Sequence, residues 1–271
     1  MAGFETLRFA VRESIARITL ARPASGNAIN LDMRQELRTA IRLVAEDAEI
    51  RAAIIEGEGR NFCTGGDIAS MKQAAPSDGA EGRERLRSYI DLVEQLILLE
   101  KPVVAAVQGH AAGAGCGLAL AADFVIASTD ATFTFSFARV GLVPDFGTFY
   151  TLPRLVGMQK ARQLIYSARP VAAAQALQIG MIFDVAEPDR LTEAATTLAA
   201  SLCSGSPAAF GLAKQALARS FDVDLRTLLE FEASAQGICF TTEWHRSAIQ
   251  AFLARKPSPF TGFAAPIAEA N

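Results

Sequence analysis

The residues best suited to chemistry in this chain fall in three short turns. Two are rich in glycine: Phe62-Cys63-Thr64-Gly65-Gly66-Asp67-Ile68, and the stretch holding Gly109, Gly113, Gly115 and Gly117 inside residues 101–127, KPVVAAVQGHAAGAGCGLALAADFVIA. Each follows an apolar run and leads into a stretch that reads as helix. Such a turn leaves backbone N–H groups at a helix start without intrahelical partners, and with the helix dipole they attract an anion or a developing oxyanion. Small side chains let a ligand come close to that backbone. The third turn, Gly141-Leu-Val-Pro-Asp145-Phe-Gly147, holds a carboxylate flanked by Val143, Pro144 and Phe146. Burial among such neighbours raises a carboxyl group's proton affinity and suits it to act as both base and acid. The plainer alternative is that Asp145 caps a helix starting near Gly147.

Other groups offer less. Asp67 directly follows the first glycine turn, and Asp123 stands where the helix after the second turn should meet the next strand. His110 is close to the second turn, yet no G-x-S-x-G occurs, so a Ser-His-Asp hydrolase is disfavoured and a structural histidine is expected. The spacing of Gly113, Gly115 and Gly117 does not match a dinucleotide fingerprint, and no Gly-Lys-Ser/Thr P-loop is present. With two histidines and no HExxH or clustered Cys/His spacing, no metal is expected.

Hydrophobic periodicity outlines the elements that must position these turns. Leu7, Phe9 and Val11, then Ile15, Ile18 and Leu20, predict a β-hairpin with one buried face. Residues 22–30 are turn chemistry, and Asn30 or Asp32 can cap a helix whose apolar stripe is Leu37, Ile41 and Val44. The polar residues 74–82 predict a mobile loop. Leu86, Ile90, Val93 and Ile97 repeat at helical spacing and lead into a β-branched strand at Val103, Val104 and Val107. Residues 123–127 read as a further strand, and Phe133, Phe135 and Phe137 alternate with polar residues as a short strand with an aromatic face. Helices are predicted over 148–156, 158–167 and 172–178, with a small strand at 182–186, and helix almost throughout from Asp189. Ser206 with Pro207 is a good helix start. A strand-rich N-terminal two-thirds followed by helices suggests an α/β core with a helical extension.

In their order, FCTGGDI, the glycine-rich central stretch and Arg139-Val-Gly-Leu-Val-Pro-Asp-Phe-Gly147 closely resemble the crotonase superfamily, the enoyl-CoA hydratases and isomerases. The likeness runs over about residues 4–260, and its order of motifs is highly specific. It implies an α/β fold, a crotonase-like spiral of repeated ββα units, with residues 1–200 as the core that holds an acyl-CoA site. Residues 201–271 would then be a C-terminal helical extension serving trimerisation and as a lid. By the same resemblance, the backbone N–H groups of Gly66 and Ala114 polarise a thioester carbonyl, and Ser25, Ala28, Gly66, Asp67 and Ile68 lie along coenzyme A. Met71, Phe137 and Phe146 suggest an apolar substrate pocket. Coenzyme A enters as part of the substrate, with no separate cofactor, and the implied assembly is a homotrimer or a pair of trimers. Arg255 and Lys256 could bring charge to a coenzyme A phosphate or simply belong to a solvated tail.

Hydratases of the family carry two glutamates, and the matching positions here are Gly117 and Phe137. Adding water to an enoyl thioester needs a group that activates the water and delivers its proton, which neither residue can do. Several isomerases of the family, among them dienoyl-CoA isomerases and the ring-opening isomerases of phenylacetate breakdown, have an aspartate where this chain has Asp145. The resemblance is thus nearest to single-aspartate enoyl-CoA isomerases, working through an oxyanion-stabilised enolate with Asp145 as acid and base. A hydratase, or a catalytically weak acyl-CoA-binding protein, is the alternative.

Composition bounds the rest. A chain of 271 residues, 51% hydrophobic and 20% charged, has the material for a sizeable core. Its net charge of -3 gives no long-range attraction to nucleic acid or anionic lipid, so neither is an expected partner. Gln108, His110, Asp123 and the glycines argue against reading residues 101–127 as a membrane span. Cys63, Cys116, Cys203 and Cys239 form no C-x-x-C pair, which suits a reducing compartment, and the charged N-terminal residues lack a signal peptide's apolar core. A cytoplasmic location is expected.

Overall fold

The run Val103–Val107 is buried along its whole length, as a strand covered on both faces must be. In the computed structural model, which describes residues 3–73, 76–87 and 89–263, that strand lies inside a six-stranded sheet. The strands are β1 (Leu7–Arg12), β2 (Ile15–Leu20), β3 (Ala52–Gly57), β4 (Val103–Val107), β5 (His110–Ala112), β6 (Phe124–Ser128), β7 (Thr132–Thr134), β8 (Val171–Ala172) and β9 (Asp184–Ala186). The large sheet has the order β1-β2-β3-β4-β6-β9, and a smaller one the order β5-β7-β8. Only the β1–β2 hairpin is antiparallel in the large sheet; β2, β3, β4, β6 and β9 run parallel.

The helices are α1 (Leu31–Glu46), α2 (Ile68–Gln73), α3 (Gly79–Arg87), α4 (Ile90–Ile97), α5 (Ala114–Leu120), α6 (Thr148–Val156), α7 (Met158–Ser167), α8 (Ala173–Gln178), α9 (Leu191–Cys203), α10 (Pro207–Arg219), α11 (Leu225–Phe240) and α12 (Glu243–Leu253). Strand alternation sorts side chains between two cores. Ala53, Ile55, Val103, Ala105 and Val107 pack with Leu37, Ile41 and Val44 of α1 and with Leu118 of α5. Ala52, Ile54, Val104 and Ala106 face the other way, onto Leu191, Ala195, Leu198 and Leu202 of α9. Caps fix the helix starts: Asn30 Oδ1 accepts from Met33 N at 2.9 Å, and Ser206 Oγ accepts from Ala209 N at 3.3 Å.

Three expectations are corrected. Much of the polar stretch 74–82 is helix start rather than loop: Asp78 Oδ1 accepts from the Ala80 and Glu81 N–H groups, both at 2.9 Å, while Glu81 reaches back to Ser77 N at 2.7 Å. That reciprocal capping starts α3; Ala74 and Ala75 lie outside the described residues. The helical stripe 86–97 is broken between α3 and α4, and Leu86 and Ile90 are exposed while Tyr89, Leu92 and Leu96 are buried. The aromatic alternation leaves the strand after Thr134, because residues 136–140 wind into a short 3₁₀ helix; Phe133, Phe135 and Phe137 are nonetheless all buried.

The C-terminal helices attach through α10, where Lys214 Nζ pairs with Asp123 at 2.7 Å and Asp123 also accepts from Val103 N at 2.7 Å. Among the described residues α11 and α12 bury no side chain, and Phe221, Leu225, Phe252 and Leu253 are exposed. Beyond them Arg255 and Lys256 are exposed. The chain then packs Phe260 on Phe210 and Phe263 on Phe124, at the edge where the parallel strands begin. Among the described residues no helix is long and apolar enough to cross a membrane.

Candidate active site

Because β3 and β4 are parallel neighbours, the turns that follow them leave the sheet at the same edge and meet. Phe62 N donates to Gln108 O at 2.8 Å, Cys63 N to His110 O at 3.1 Å, and Ala112 N to Cys63 O at 2.9 Å. Gly65 has φ +102°, and a Cβ on it would stand 2.8 Å from the Ala112 carbonyl oxygen and 3.7 Å from Ala114 N. Both the backbone angle and the space therefore require glycine. Gly65→Ala is expected to part the two turns and destabilise the protein by about 1–3 kcal/mol, read as a lower melting temperature.

The same ladder aims two N–H groups away from the protein's own acceptors. Ile29 N donates to Gly65 O at 2.7 Å and Asp67 N donates to Ile29 O at 3.1 Å, so the residues on either side of Gly66 face Ile29. In that parallel pattern the N–H of Gly66 itself points the other way. Ala114 opens α5, where an N–H has no intrahelical acceptor. Among the described residues neither group has a hydrogen-bond partner.

The residues expected along a ligand gather at the first turn. Thr64 N donates to Gly26 O at 3.0 Å, and Ala28 N to Ser25 O at 3.2 Å, which lays residues 25–28 beside it. Ser25 and Ile68 are exposed and Ala28 is buried. The Asp67 carboxylate is already occupied: it accepts from Ser70 N at 3.1 Å and pairs with Arg22 at 2.9 Å, and the first of these bonds leads in holding it below its usual proton affinity. Met71 Cε occupies the place a Gly66 Cβ would take, so its thioether covers Gly66. The Phe137 ring is 3.8 Å from the Cβ position of Gly113, next to Ala114.

Asp145 is held one turn farther along α5. A Cβ on Gly117 would fall 2.6 Å from Phe146 Cβ and 2.8 Å from Phe146 O, so residues 146–148 lie flat on that helix. Phe146 itself has φ +53°, a conformation an aromatic residue seldom takes, and such local strain gathers at functional sites. The helix-capping alternative for Asp145 fails: Gly147 is the cap of α6, with no side-chain bond to it. Asp145 Oδ1 is instead buried without a partner. Burial pushes its carboxyl group up to about 6, against the opposing pull of the Arg34 guanidinium. Asp145 and Phe146 open on a cleft of about 610 Å³ shared with Tyr89, Val93, Ile97 and Tyr150; Gly66 and Ala114 do not line it.

Two residues at this site escaped the sequence reading. Arg34 is only 6% exposed, its guanidinium carbon sits 3.7 Å from the centre of the Tyr89 ring, and its Nε and Nη1 have no hydrogen-bond partner. Tyr89 in turn meets Phe146 edge-on at 5.4 Å, and burial pushes its phenol up to about 12. The available signal was spacing: Arg34 precedes Leu37 by three residues and so stands on the apolar stripe of α1. His110 is exposed and bonded through Nδ1 to Thr132 Oγ1 at 2.7 Å. Cys63 and Cys116 are buried beneath the turns; burial pushes the Cys63 thiol up to about 12 and raises that of Cys116 as well. Among the described residues no three His, Cys, Asp or Glu side chains converge as metal ligands would.

Comparison with known proteins finds relatives over nearly the full length of the chain. The sequence model of the family described as enoyl-CoA hydratase/isomerase matches residues 10–263. A short-chain-enoyl-CoA hydratase of Clostridium acetobutylicum is 39% identical over 243 residues, 89% of this chain and 92% of that protein. The 1,2-epoxyphenylacetyl-CoA isomerase of Escherichia coli is 36% identical over 254 residues, 93% of this chain and 97% of that one. The crystal structure of an enoyl-CoA hydratase/isomerase from Cupriavidus metallidurans superposes with a TM-score of 0.93 at 36% identity, covering 97% of this chain and 99% of that chain.

Proposed function

The chain belongs to the enoyl-CoA hydratase/isomerase family, and from that premise we propose that it moves the double bond of an enoyl-coenzyme A thioester, with Asp145 carrying the proton. The observation that carries this reading is a half-buried carboxylate whose Oδ1 is buried and unpaired, raised to about 6, in a site where glycine and phenylalanine hold the two hydratase glutamate positions. A 3-enoyl thioester loses a C2 proton to the Asp145 carboxylate, and the electron pair moves onto the thioester oxygen to give a dienolate. The Gly66 and Ala114 N–H groups hold that oxygen, each such donor being worth roughly 3 kcal/mol to the transition state. Asp145 then returns the proton at C4, leaving a 2,3 double bond, and charge and atoms balance. Phe137 and Phe146 keep the dienolate among apolar walls.

Coenzyme A would run along Ser25, Ala28, Asp67 and Ile68, which the hydrogen bonds between residues 25–28 and the first turn favour. A trimeric assembly through the C-terminal region is supported by the exposed apolar residues Leu225, Phe252 and Leu253 of its helices and Phe221 of the turn before α11. Residues 201–271 would serve as that interface and lid, of which 264–271 lie outside the described residues.

A hydratase is the second reading, favoured by the relative from Clostridium acetobutylicum. One experiment separates the two. The protein is incubated with 3-hexenoyl-CoA and, separately, with crotonyl-CoA, and products are followed by chromatography and mass. Conversion of the first without change of mass is expected. Faster addition of water to the second would replace the isomerase with the hydratase.

A further inference from the structure

Arg34 is a charged residue on an apolar helix stripe, 6% exposed, with Nε and Nη1 both lacking an acceptor. A buried donor left unpaired is destabilising, and an aliphatic residue would fill the same stripe without that penalty. The stacking on Tyr89 compensates part of the charge but none of the N–H groups. Asp145, whose carboxylate acts electrostatically on Arg34, has its own orphan at Oδ1, and the two do not pair. Two complementary groups of opposite charge thus stay apart, each short of a hydrogen bond.

We propose that Arg34, with Tyr89, forms a seat beside Asp145 for an uncharged oxygen carried by the acyl group, so that the site selects hydroxyl-, ether- or keto-bearing acyl thioesters over plain alkyl ones. The proposal rests on the reading of Asp145 as facing the acyl chain. Arg34 stands in the first turn of α1 and stacks on Tyr89, which lines the Asp145 cleft, whereas Gly66 and Ala114 do not line it. The oxygen is therefore seated along the acyl chain, away from the thioester carbonyl. Its lone pairs accept from the guanidinium, and a hydroxyl hydrogen can also donate to Asp145 Oδ1. A carboxylate is disfavoured, because it would face the Asp145 carboxylate across the same gap.

The test needs no turnover, so it stands apart from the isomerase assay. Binding of octanoyl-CoA is compared by titration calorimetry with that of its hydroxyoctanoyl-CoA isomers, the hydroxyl moved from C4 to C8. At least one isomer is expected to bind ~10-fold more tightly than octanoyl-CoA, as a hydrogen bond to a charged group allows. In Arg34→Met the ratio should collapse to about one, and in Arg34→Lys, which keeps the charge without the stacked fork, it should fall at least ~3-fold. The lysine variant decides the matter should the methionine variant not fold. No hydroxyl preference in the parent, a preference that survives substitution, or tighter binding of octanedioyl-CoA than of every hydroxyl isomer would each overturn the proposal. Hydroxyl preference without isomerisation would leave the seat standing and remove the mechanism; no binding of any acyl-CoA would remove both.

Discussion

Asp145→Asn should abolish double-bond migration, lowering kcat/KM for a 3-enoyl-CoA by ~10²–10⁴-fold, while making the folded protein more stable at neutral pH. The two effects have one origin. In the folded protein the carboxyl group titrates at about 6, above the roughly 3.9 of an exposed aspartate. The folded state therefore binds that proton more tightly than the unfolded chain does. Its contribution to stability is largest below the unfolded value, declines as pH rises from about 4 to about 6, and is fully lost above that. The displacement corresponds to on the order of 2–3 kcal/mol. Asparagine removes the ionisation and with it the penalty, so the variant's melting temperature should draw ahead of the parent's between pH 4 and 7 and match it near pH 4. In the parent, kcat/KM should fall about tenfold per unit below pH 6, as the base is protonated. An active asparagine variant, or one no more stable at pH 7, would remove Asp145 from the proposed role.

Restoring a hydratase glutamate at position 117 should fail. A Cβ there already meets Phe146 Cβ at 2.6 Å and Phe146 O at 2.8 Å, so Gly117→Ala is expected to destabilise by about 1–3 kcal/mol through overpacking alone. Gly117→Glu adds a carboxylate to a buried helix face and should cost more than ~3 kcal/mol, or leave no folded protein, with no hydration of crotonyl-CoA gained. Melting curves of both variants beside a hydration assay check this. A folded, hydrating Gly117→Glu protein would mean that the Asp145 turn moves freely off α5, contrary to the packing described.

The parts of this molecule that announce themselves in the sequence are those whose chemistry is local. Glycines that must take φ +102° or clear a facing carbonyl, and the unbroken apolar run of β4, can be read one residue at a time. Asp145 was legible because a carboxylate among Val143, Pro144 and Phe146 is already out of place. Arg34 was not, since its meaning depends on Tyr89 and Asp145, which lie 55 and 111 residues downstream by their numbers and reach it only through tertiary packing. The strand expected through Phe137 fails for a different reason. Alternation reports which side chains are buried, and a 3₁₀ turn can bury Phe137 as well as a strand can. Residues 77–81 misled through composition: Ser, Asp, Gly and Glu read as loop until Asp78 and Glu81 are seen as the two halves of a cap.

Cys63 offers a clock. Its thiol is fully buried, pushed up to about 12, and fixed in the backbone ladder that joins the two glycine turns. Alkylating reagents attack the thiolate and need access to it, so in the closed molecule this sulfur is chemically silent. Its rate of modification then counts the fraction of molecules whose turns have come apart, much as amide exchange counts local opening. The natural sequence thus carries, without any introduced label, a reporter of how often the two turns separate in solution.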